Sequence, residues 1–224
     1  MPNSMKKIRI VKNGPYMVTG NIHISEKIIH PTKSGNEFQE GRQLPQNEDY
    51  ALCRCGKSKN APFCDGSHQK NGFQGQEVAS REKYENRAEF LQGPDLDLLD
   101  DNRCAYARFC HSAEGNVWEI LENTDDPQTR ATAIRIAGNC PSGRLVAVDK
   151  DGKQYEPEYE PAIEIISDPA NGVESGIFVK GNIQIESADG VFYEKRSRVM
   201  LCRCGKSRNK PFCDASHIPD ELSD

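Results

Sequence analysis

Near both ends of the chain, apolar and polar residues alternate with a period of two. Ile8, Ile10, Val18, Ile22 and Ile24 are the apolar positions of residues 6–24, interrupted by Asn13-Gly14-Pro15. Alternation broken by a Gly/Pro turn signal predicts short strands. The same lettering returns far downstream. Val18-Thr19-Gly20-Asn21-Ile22-His23-Ile24 matches Val179-Lys180-Gly181-Asn182-Ile183-Gln184-Ile185, and Ile8-Arg9-Ile10 parallels Ile163-Glu164-Ile165. Self-similarity of this kind marks an internal repeat, so the ends of the chain read as two copies of one β-rich module. Residues 30–48, polar and rich in Gly, Pro, Asn and Gln, read as a surface loop that lengthens the first copy. His23 alternates with Ile22 and Ile24 and is expected at the solvent face; His30 needs no role.

The middle of the chain has a different texture. Phe90, Leu91, Leu96, Leu98 and Leu99 form a weak apolar pattern with a turn at Gly93-Pro94. A helix is predicted from Asp126-Pro127 to Ile136, because Pro127 suits the first helical position and Ala131, Ile134 and Ala137 recur at helical spacing; it ends at Gly138. Leu145 to Val148 reads as a strand closed by Asp151-Gly152, and 153–161 as an extended linker. Trp118 is expected in the core of this unit, and the acidic run Asp95 to Asp101 and the acidic tail 219–224 at the solvent surface. The organisation expected is a first β-rich module at 1–80, an insert at 81–160 and a second module at 161–224, of mixed β-rich α+β class.

Composition narrows the function. At 36% hydrophobic residues the chain is lean in core formers, and small modules of that kind commonly need a metal or other staple. No run approaches the roughly 20 apolar residues of a membrane span, and the start, Met-Pro-Asn-Ser-Met-Lys-Lys, lacks the apolar stretch of a secretory signal. A soluble cytoplasmic protein is expected, without a membrane partner. Nine cysteines fall into three sets, Cys53/Cys55/Cys64, Cys104/Cys110/Cys140 and Cys202/Cys204/Cys213. An odd total and C-x-C neighbours argue for metal ligation over a disulfide framework.

The first and third sets share one pattern. Residues 53–68 read Cys-Arg-Cys-Gly-Lys-Ser-Lys-Asn-Ala-Pro-Phe-Cys-Asp-Gly-Ser-His, and 202–217 read Cys-Arg-Cys-Gly-Lys-Ser-Arg-Asn-Lys-Pro-Phe-Cys-Asp-Ala-Ser-His. Three sulfurs and an imidazole suit zinc or an iron–sulfur cluster. Zinc sites usually pair cysteines as C-x2-C, whereas here the pair is C-x-C, which favours two cysteines on one iron; zinc stays open on spacing alone. Cys64 and His68, four apart, fit one face of a helix start. Asp65 and Ser67 are placed to accept from its N–H groups, its dipole would favour an anionic cluster, and Gly56 and Gly66 allow close backbone approach. Both stretches are basic in an acidic chain: Arg54, Lys57, Lys59 and Lys70 face only Asp65, and seven basic residues between 194 and 217 face Glu194 and Asp214. Such a rim stabilises anionic centres and steers acidic partners. Nucleic acid is not expected, since the net charge is −5 and no recognition helix or aromatic–basic ladder is present.

These residues resemble the CDGSH iron–sulfur domain of the NEET proteins, with the pattern C-x-C-x2-(S/T)-x3-P-x-C-D-G-(S/A/T)-H. The first copy fits at Cys53, Cys55, Ser58, Pro62, Cys64, Asp65, Gly66, Ser67 and His68; the second has Ala215 in the glycine place. Ala is tolerated there in a helical conformation, whereas a positive φ would count against ligation. The resemblance implies two [2Fe–2S] clusters, one held by Cys53, Cys55, Cys64 and His68, the other by Cys202, Cys204, Cys213 and His217. Two cysteines would bind one iron of each cluster, and a cysteine plus the histidine the other. It also implies electron or cluster transfer to a redox or cluster-acceptor protein. Family members with one motif form intertwined homodimers, so two motifs in one chain imply a monomer whose repeats pair intramolecularly.

The set Cys104-x5-Cys110 with Cys140-Pro141 resembles half of a bacterial-type ferredoxin, with Ala107 in place of a further cysteine. It is similar to divergent single-cluster ferredoxin-like domains, although Tyr106 stands where those often carry histidine. That implies a third cluster, [3Fe–4S] or [4Fe–4S], on Cys104, Cys110 and Cys140. A zinc site with His111 and a domain without metal are the alternatives. No flavin or nicotinamide fingerprint is present, so an electron or cluster carrier is expected and not an enzyme. The rival readings are a redox subunit wiring a partner oxidoreductase and a structural zinc protein. With imidazole ligands, redox and protonation are expected to couple at His68 and His217.

Overall fold

The computed structural model describes residues 5–219; the last five residues of the acidic tail lie outside them. The first alternating stretch folds as the hairpin β1 (Lys7–Ile10) and β2 (Tyr16–Thr19). The chain continues through β3 (His23–Thr32), β4 (Gly35–Glu40) and β5 (Tyr50–Leu52) to the first cysteine motif, which ends in the single helical turn α1 (Ser67–Lys70). The middle unit comprises α2 (Tyr84–Arg87), β6 (Glu89–Gln92), β7 (Leu96–Asp100), β8 (His111–Ser112), β9 (Gly115–Asn116), α3 (Val117–Leu121), α4 (Pro127–Gly138), β10 (Leu145–Asp149) and β11 (Gln154–Tyr155). The second copy follows as β12 (Ala162–Asp168), β13 (Val173–Lys180), β14 (Gln184–Glu186) and β15 (Arg198–Leu201), which leads into the second motif.

The strands of the two repeats are exchanged. One sheet runs β14-β1-β2-β5, and the other runs β15-β13-β12-β3 before continuing to β4, β8 and β9. The first sheet thus takes three strands from the first repeat and one from the second, and the other takes three from the second repeat and β3, with its hairpin partner β4, from the first. The registers match: Ile8 lies opposite Val18 and, in parallel, Ile185, while Ile163 lies opposite Val179 and, in parallel, Ile24. The repeated Gly-Asn pair is where the chain crosses. Gly20 and Asn21 have φ of 92° and 52°, Gly181 and Asn182 of 80° and 56°. Only a glycine fits the first position, because a Cβ on Gly20 would sit 2.8 Å from Lys6 Cα and one on Gly181 2.4 Å from Pro161 N.

Alternation puts one face of every exchanged strand into a shared core. Ile8, Ile10, Val18, Ile22 and Ile24 pack with Ile163, Ile165, Ile177, Val179, Ile183 and Ile185, all at most 4% exposed. Each buried side chain of this size contributes about 1.5–3 kcal/mol, so the core alone joins the two ends of the sequence. His23 and His30 are exposed as expected.

The stretch 30–48 departs from its loop assignment. Residues up to Thr32 and from Gly35 to Glu40 form a hairpin arm, β3–β4. The arm is polar because it stands clear of the core, so it lacks the alternation that reveals a strand. Its tip reaches the insert, where Gly35 pairs with Ser112 and Asn36 Nδ2 donates to Ala107 O at 3.0 Å.

The insert has its own sheet, β11-β10-β7-β6, with α3 and α4 packed against it. Helix α4 starts as expected: Asp126 accepts from Thr129 N at 2.8 Å and Pro127 occupies the first turn. Its buried stripe is Ala133, Ile136 and Ala137, while Ala131 is exposed. This stripe is rotated from the expected one, and at i, i+3, i+4 and i+7 it ends on buried Cys140. Helix α3 went unseen in the sequence, although Asn116 and Glu119 make a reciprocal capping box at its start. Trp118 packs against the insert core, its Nε1 donating to Asp100 at 3.3 Å. The acidic run is not a solvated face. Asp97, Asp100 and Asp101 are held by Lys150, Arg144 and Arg87, because β7 is the sheet's central strand.

Buried Arg198 of β15 ties the insert to the second repeat. It donates to Cys140 O at 2.7 Å, Ala137 O at 3.1 Å and Leu145 O at 2.9 Å, and pairs with Glu156. Arg198→Met strands these acceptors and is expected to lower stability by about 3–5 kcal/mol in urea unfolding. A loss under about 1 kcal/mol, the net value of one ordinary hydrogen bond, would show that the clasp matters little.

Candidate metal centres

Each CDGSH-like loop is closed on the strand that precedes it. Cys53 N donates to Pro62 O and Cys64 N to Ala51 O, both at 2.8 Å; Cys202 N donates to Pro211 O at 2.8 Å and Cys213 N to Met200 O at 2.9 Å. Ser58 Oγ donates to Phe63 O at 2.6 Å, and Ser207 Oγ to Phe212 O at 2.7 Å. Asp65 accepts from Lys59 N at 2.8 Å and Ser67 N at 2.9 Å, and Asp214 accepts from Arg208 N at 2.7 Å and Ser216 N at 3.1 Å. The backbone donors hold the Asp65 carboxyl below the usual range, and at Asp214 burial pushes up but the Ser216 hydroxyl and then the backbone donors outweigh it and bring the carboxyl down. The motif's serine and aspartate therefore pin the loop. The helix start expected at the third cysteine is one turn in the first copy and absent in the second; Asp65 accepts from the N–H of its first residue, Ser67, as expected, while Gly66 in the N-cap place brings no side-chain cap. A dipole contribution is correspondingly small.

The cysteines and histidines come together as pairs. Cys53 Sγ and Cys55 Sγ are 3.7 Å apart, and Cys202 Sγ and Cys204 Sγ 3.8 Å. Cys64 Sγ lies 3.4 Å from His68 Nδ1, and Cys213 Sγ 3.5 Å from His217 Nδ1. A tetrahedral ion with bonds of about 2.3 Å to sulfur and 2.0–2.1 Å to nitrogen sets its ligands about 3.8 Å (S–S) and about 3.5 Å (S–N) apart. All four pairs fit. No three His, Cys, Asp or Glu side chains among the described residues gather as a single ion requires, and all nine cysteines are free.

The two loops touch. Gly56 and Gly205 have φ of 69° and 78°, and a Cβ on either would come within 2.4 Å of Cys204 O or 2.7 Å of Cys55 O. Ala215 has a φ of 66°, not the helical value expected. It occupies the place of Gly66, whose φ is 83°, and the turn preceding His217 imposes that conformation. The pair beyond it still closes to the same distance as in the first copy, so the strain is borne by the backbone and the geometry is kept.

The basic residues of the motifs divide. Arg54, Arg198 and Arg203 are buried and structural, whereas Lys57, Lys59, Lys70, Lys206 and Arg208 form the exposed rim. Arg54 donates to Gly14 O at 2.9 Å and Gly75 O at 2.8 Å, with no carboxylate partner among the described residues, while Arg203 pairs with Glu174. Tyr16 carried no expectation from the sequence. Its hydroxyl crosses from the first repeat to donate to Cys202 O at 2.9 Å and Pro211 O at 3.1 Å.

The insert brings Cys104, Cys110 and Cys140 within electrostatic reach of one another. Burial, reinforced by Cys140 and Cys104, pushes the Cys110 thiol up to about 12, and burial raises Cys140 against the pull of Arg198. The Cys104 loop bends through left-handed residues Asn102, Tyr106 and Arg108, and Ala105 N donates to Ser142 Oγ beside Cys140 at 3.2 Å. His111 Nδ1 is 3.3 Å from Cys110 Sγ, at the surface. In the second motif, burial pushes Cys213 up to about 12 and lowers His217, which faces Asp168, Asp214, Arg108 and Lys206. The hydrogen bond with Cys202 brings Cys204 down to about 6.

Comparison with protein families agrees with this layout. The model of the iron-binding zinc finger of CDGSH type matches residues 13–69 and 174–218, and that of the divergent 4Fe-4S mono-cluster matches 91–150. No curated protein and no solved structure gives a significant match. The chain is an iron–sulfur protein of the CDGSH class. More particularly, it carries two matches to the CDGSH-type domain with a match to the divergent 4Fe-4S mono-cluster between them. No helix among the described residues is long and apolar enough to cross a membrane.

Two outcomes follow. Ala215→Gly relieves a left-handed alanine and is expected to stabilise the protein by about 1 kcal/mol, with Gly66→Ala costing a similar amount; a Cβ at Gly66 meets nothing within 4 Å, so the cost is backbone alone. Equal melting temperatures would contradict the strain. Second, Cys110 and Cys213 stay protonated in the metal-free fold up to about 12, whereas unfolded thiols ionise near 8.5. The unfolded state then binds fewer protons, so metal-free stability falls as pH rises from about 8.5 toward 12. Cys110→Ser should flatten part of that slope in thermal melts at several pH values.

Proposed function

We propose that the chain binds two [2Fe–2S] clusters and acts as an electron or cluster carrier. The observation that carries this is the pairing of ligands. Cys53 with Cys55, and Cys202 with Cys204, would each hold one iron. Cys64 with His68, and Cys213 with His217, would hold the other. A structural zinc ion would need four ligands at one point, and pairs do not supply that. When bound, the clusters supply reversible one-electron chemistry. Cys104, Cys110 and Cys140 would hold a third cluster, [3Fe–4S] or [4Fe–4S], in keeping with the mono-cluster family match.

In this reading the modules are 1–80 and 161–224, and their exchanged strands make one chain the equivalent of an intertwined dimer, with the ferredoxin-like insert at 81–160. The chain's residues then have defined tasks. The thiolates hold iron. The second ring nitrogens of His68 and His217 exchange a proton and offset the negative charge gained on reduction, coupling redox to pH. The exposed lysines steer an acidic redox or cluster-acceptor protein in the cytoplasm.

Anaerobic purification, iron analysis and EPR of the reduced protein test the proposal. About four irons per chain are expected from the two [2Fe–2S] centres, and about seven or eight with the third. A colourless protein containing zinc would overturn it.

A further inference from the structure

The two CDGSH loops share a sequence and a geometry but not their surroundings. Cys213 is 3% exposed and belongs to a buried cluster with Ala105, Ala107 and Phe109 of the insert and with Ile166, Phe178 and Met200. Its neighbours Pro211 and Phe212 are buried as well, and the Arg103 guanidinium lies 4.2 Å from the Phe212 ring centre. In the first copy Pro62 is buried too, but Cys64 and Phe63 are half-buried and Ala61 and Asp65 exposed; the other pair runs the opposite way, with Cys55 buried and Cys204 half-buried. The insert segment over Cys213 is fastened from two sides. Arg108 pairs with buried Asp168 at 2.8 Å, and the hairpin arm of the first repeat holds it through Asn36 and through Phe38, whose ring lies 4.4 Å from that of Phe109. Thus the hairpin arm of the polar extension reaches the second site, while Arg42, just beyond the arm, donates to Ala61 O of the first loop at 2.9 Å.

We propose that Ala105–Phe109 is a cover over Cys213 that shields this side of the Cys202–His217 site from acceptor proteins and chelators, so that release of iron or cluster falls to the Cys53–His68 site. This rests on the reading that both sites hold clusters. In release, the bonds from iron to Cys53, Cys55, Cys64 and His68 break as bonds to the acceptor's ligands form, without change of oxidation state. The covered site stays against the insert's cysteine group on one side and against the Cys55–Gly56 backbone on the other, which suits a fixed carrier. The exposed Lys57, Lys59 and Lys70 around the open site make its face suited to an acidic acceptor.

The test uses the full-length protein with its clusters, under anaerobic conditions, with a ferrous chelator in excess and visible absorbance followed in time. Two phases are expected from the CDGSH sites, the second at least about tenfold slower. Cys53→Ser/Cys55→Ser removes the fast phase, and Cys202→Ser/Cys204→Ser removes the slow one. Phe38→Ala, which leaves every cysteine in place, should speed the slow phase several-fold, with circular dichroism reporting the fold. A single phase in the unaltered protein, or a fast phase that survives Cys53→Ser/Cys55→Ser, overturns the proposal whatever Phe38→Ala does. Protein that carries no iron at the outset refutes the cluster reading instead, and the iron count taken before the chelator is added separates the two failures.

Discussion

The parallel pairing of β1 with β14 and of β3 with β12 is the constraint on which everything else hangs. Neither sheet is complete without a strand from the far end of the chain, so the apolar faces of both repeats can be buried only together. The cysteine loops leave from β5 and β15, and strand exchange fixes those two departures near one another. Gly56 and Gly205 then let each loop rest on the other's backbone. The Tyr16 hydroxyl, fully buried, binds the second loop's carbonyls from the first repeat, and desolvation holds its proton far above the usual range. A neutral donor at that place supports the loop without adding charge.

Burial of the thiols gives metal and fold a common energetics. Cys213, Cys140 and Cys110 resist ionisation where they lie, yet a thiol must lose its proton to bind iron. On the proposed reading, the positive iron would supply the compensation that water would otherwise provide. The basic side chains do less of this than their number suggests. Arg198 and Arg203 are engaged with carbonyls and carboxylates, and the charge left facing outward belongs to a few lysines and Arg208.

Most of the modules' strands were legible because alternation with a period of two survives wherever one face is buried and the other wet. The repeat at Val18–Ile24 and Val179–Ile185 was visible as letters, but its meaning as a crossing between sheets was not, since a Gly-Asn turn looks the same in an ordinary hairpin. The arm at 30–40 was hidden for the opposite reason: with both faces largely clear of the core, its composition is that of a loop. Helix α4 was placed by Asp126 and Pro127, while its buried side was misjudged because alanines sit on both faces and only packing chooses between them. The cysteine motifs stood out as candidate metal sites because their spacing is local in sequence. Tyr16, Arg54 and Arg198 gave no such signal, because their partners are backbone carbonyls distant in sequence. Left-handed Ala215, like Tyr106 and Arg108 of the insert, breaks a local rule, and it lies between Cys213 and His217.

Joining two interlocked repeats in one chain also changes what a substitution can do. In an assembly of identical copies every replacement appears twice, and a residue must suit both positions at once. Here Tyr16 corresponds by register to Ile177, and Arg54 by motif to Arg203, yet each has different neighbours. A single replacement at any of them alters one side and leaves the other as it was. The covalent connection therefore removes the demand for symmetry while keeping the interlocked architecture, and the two halves are free to specialise independently.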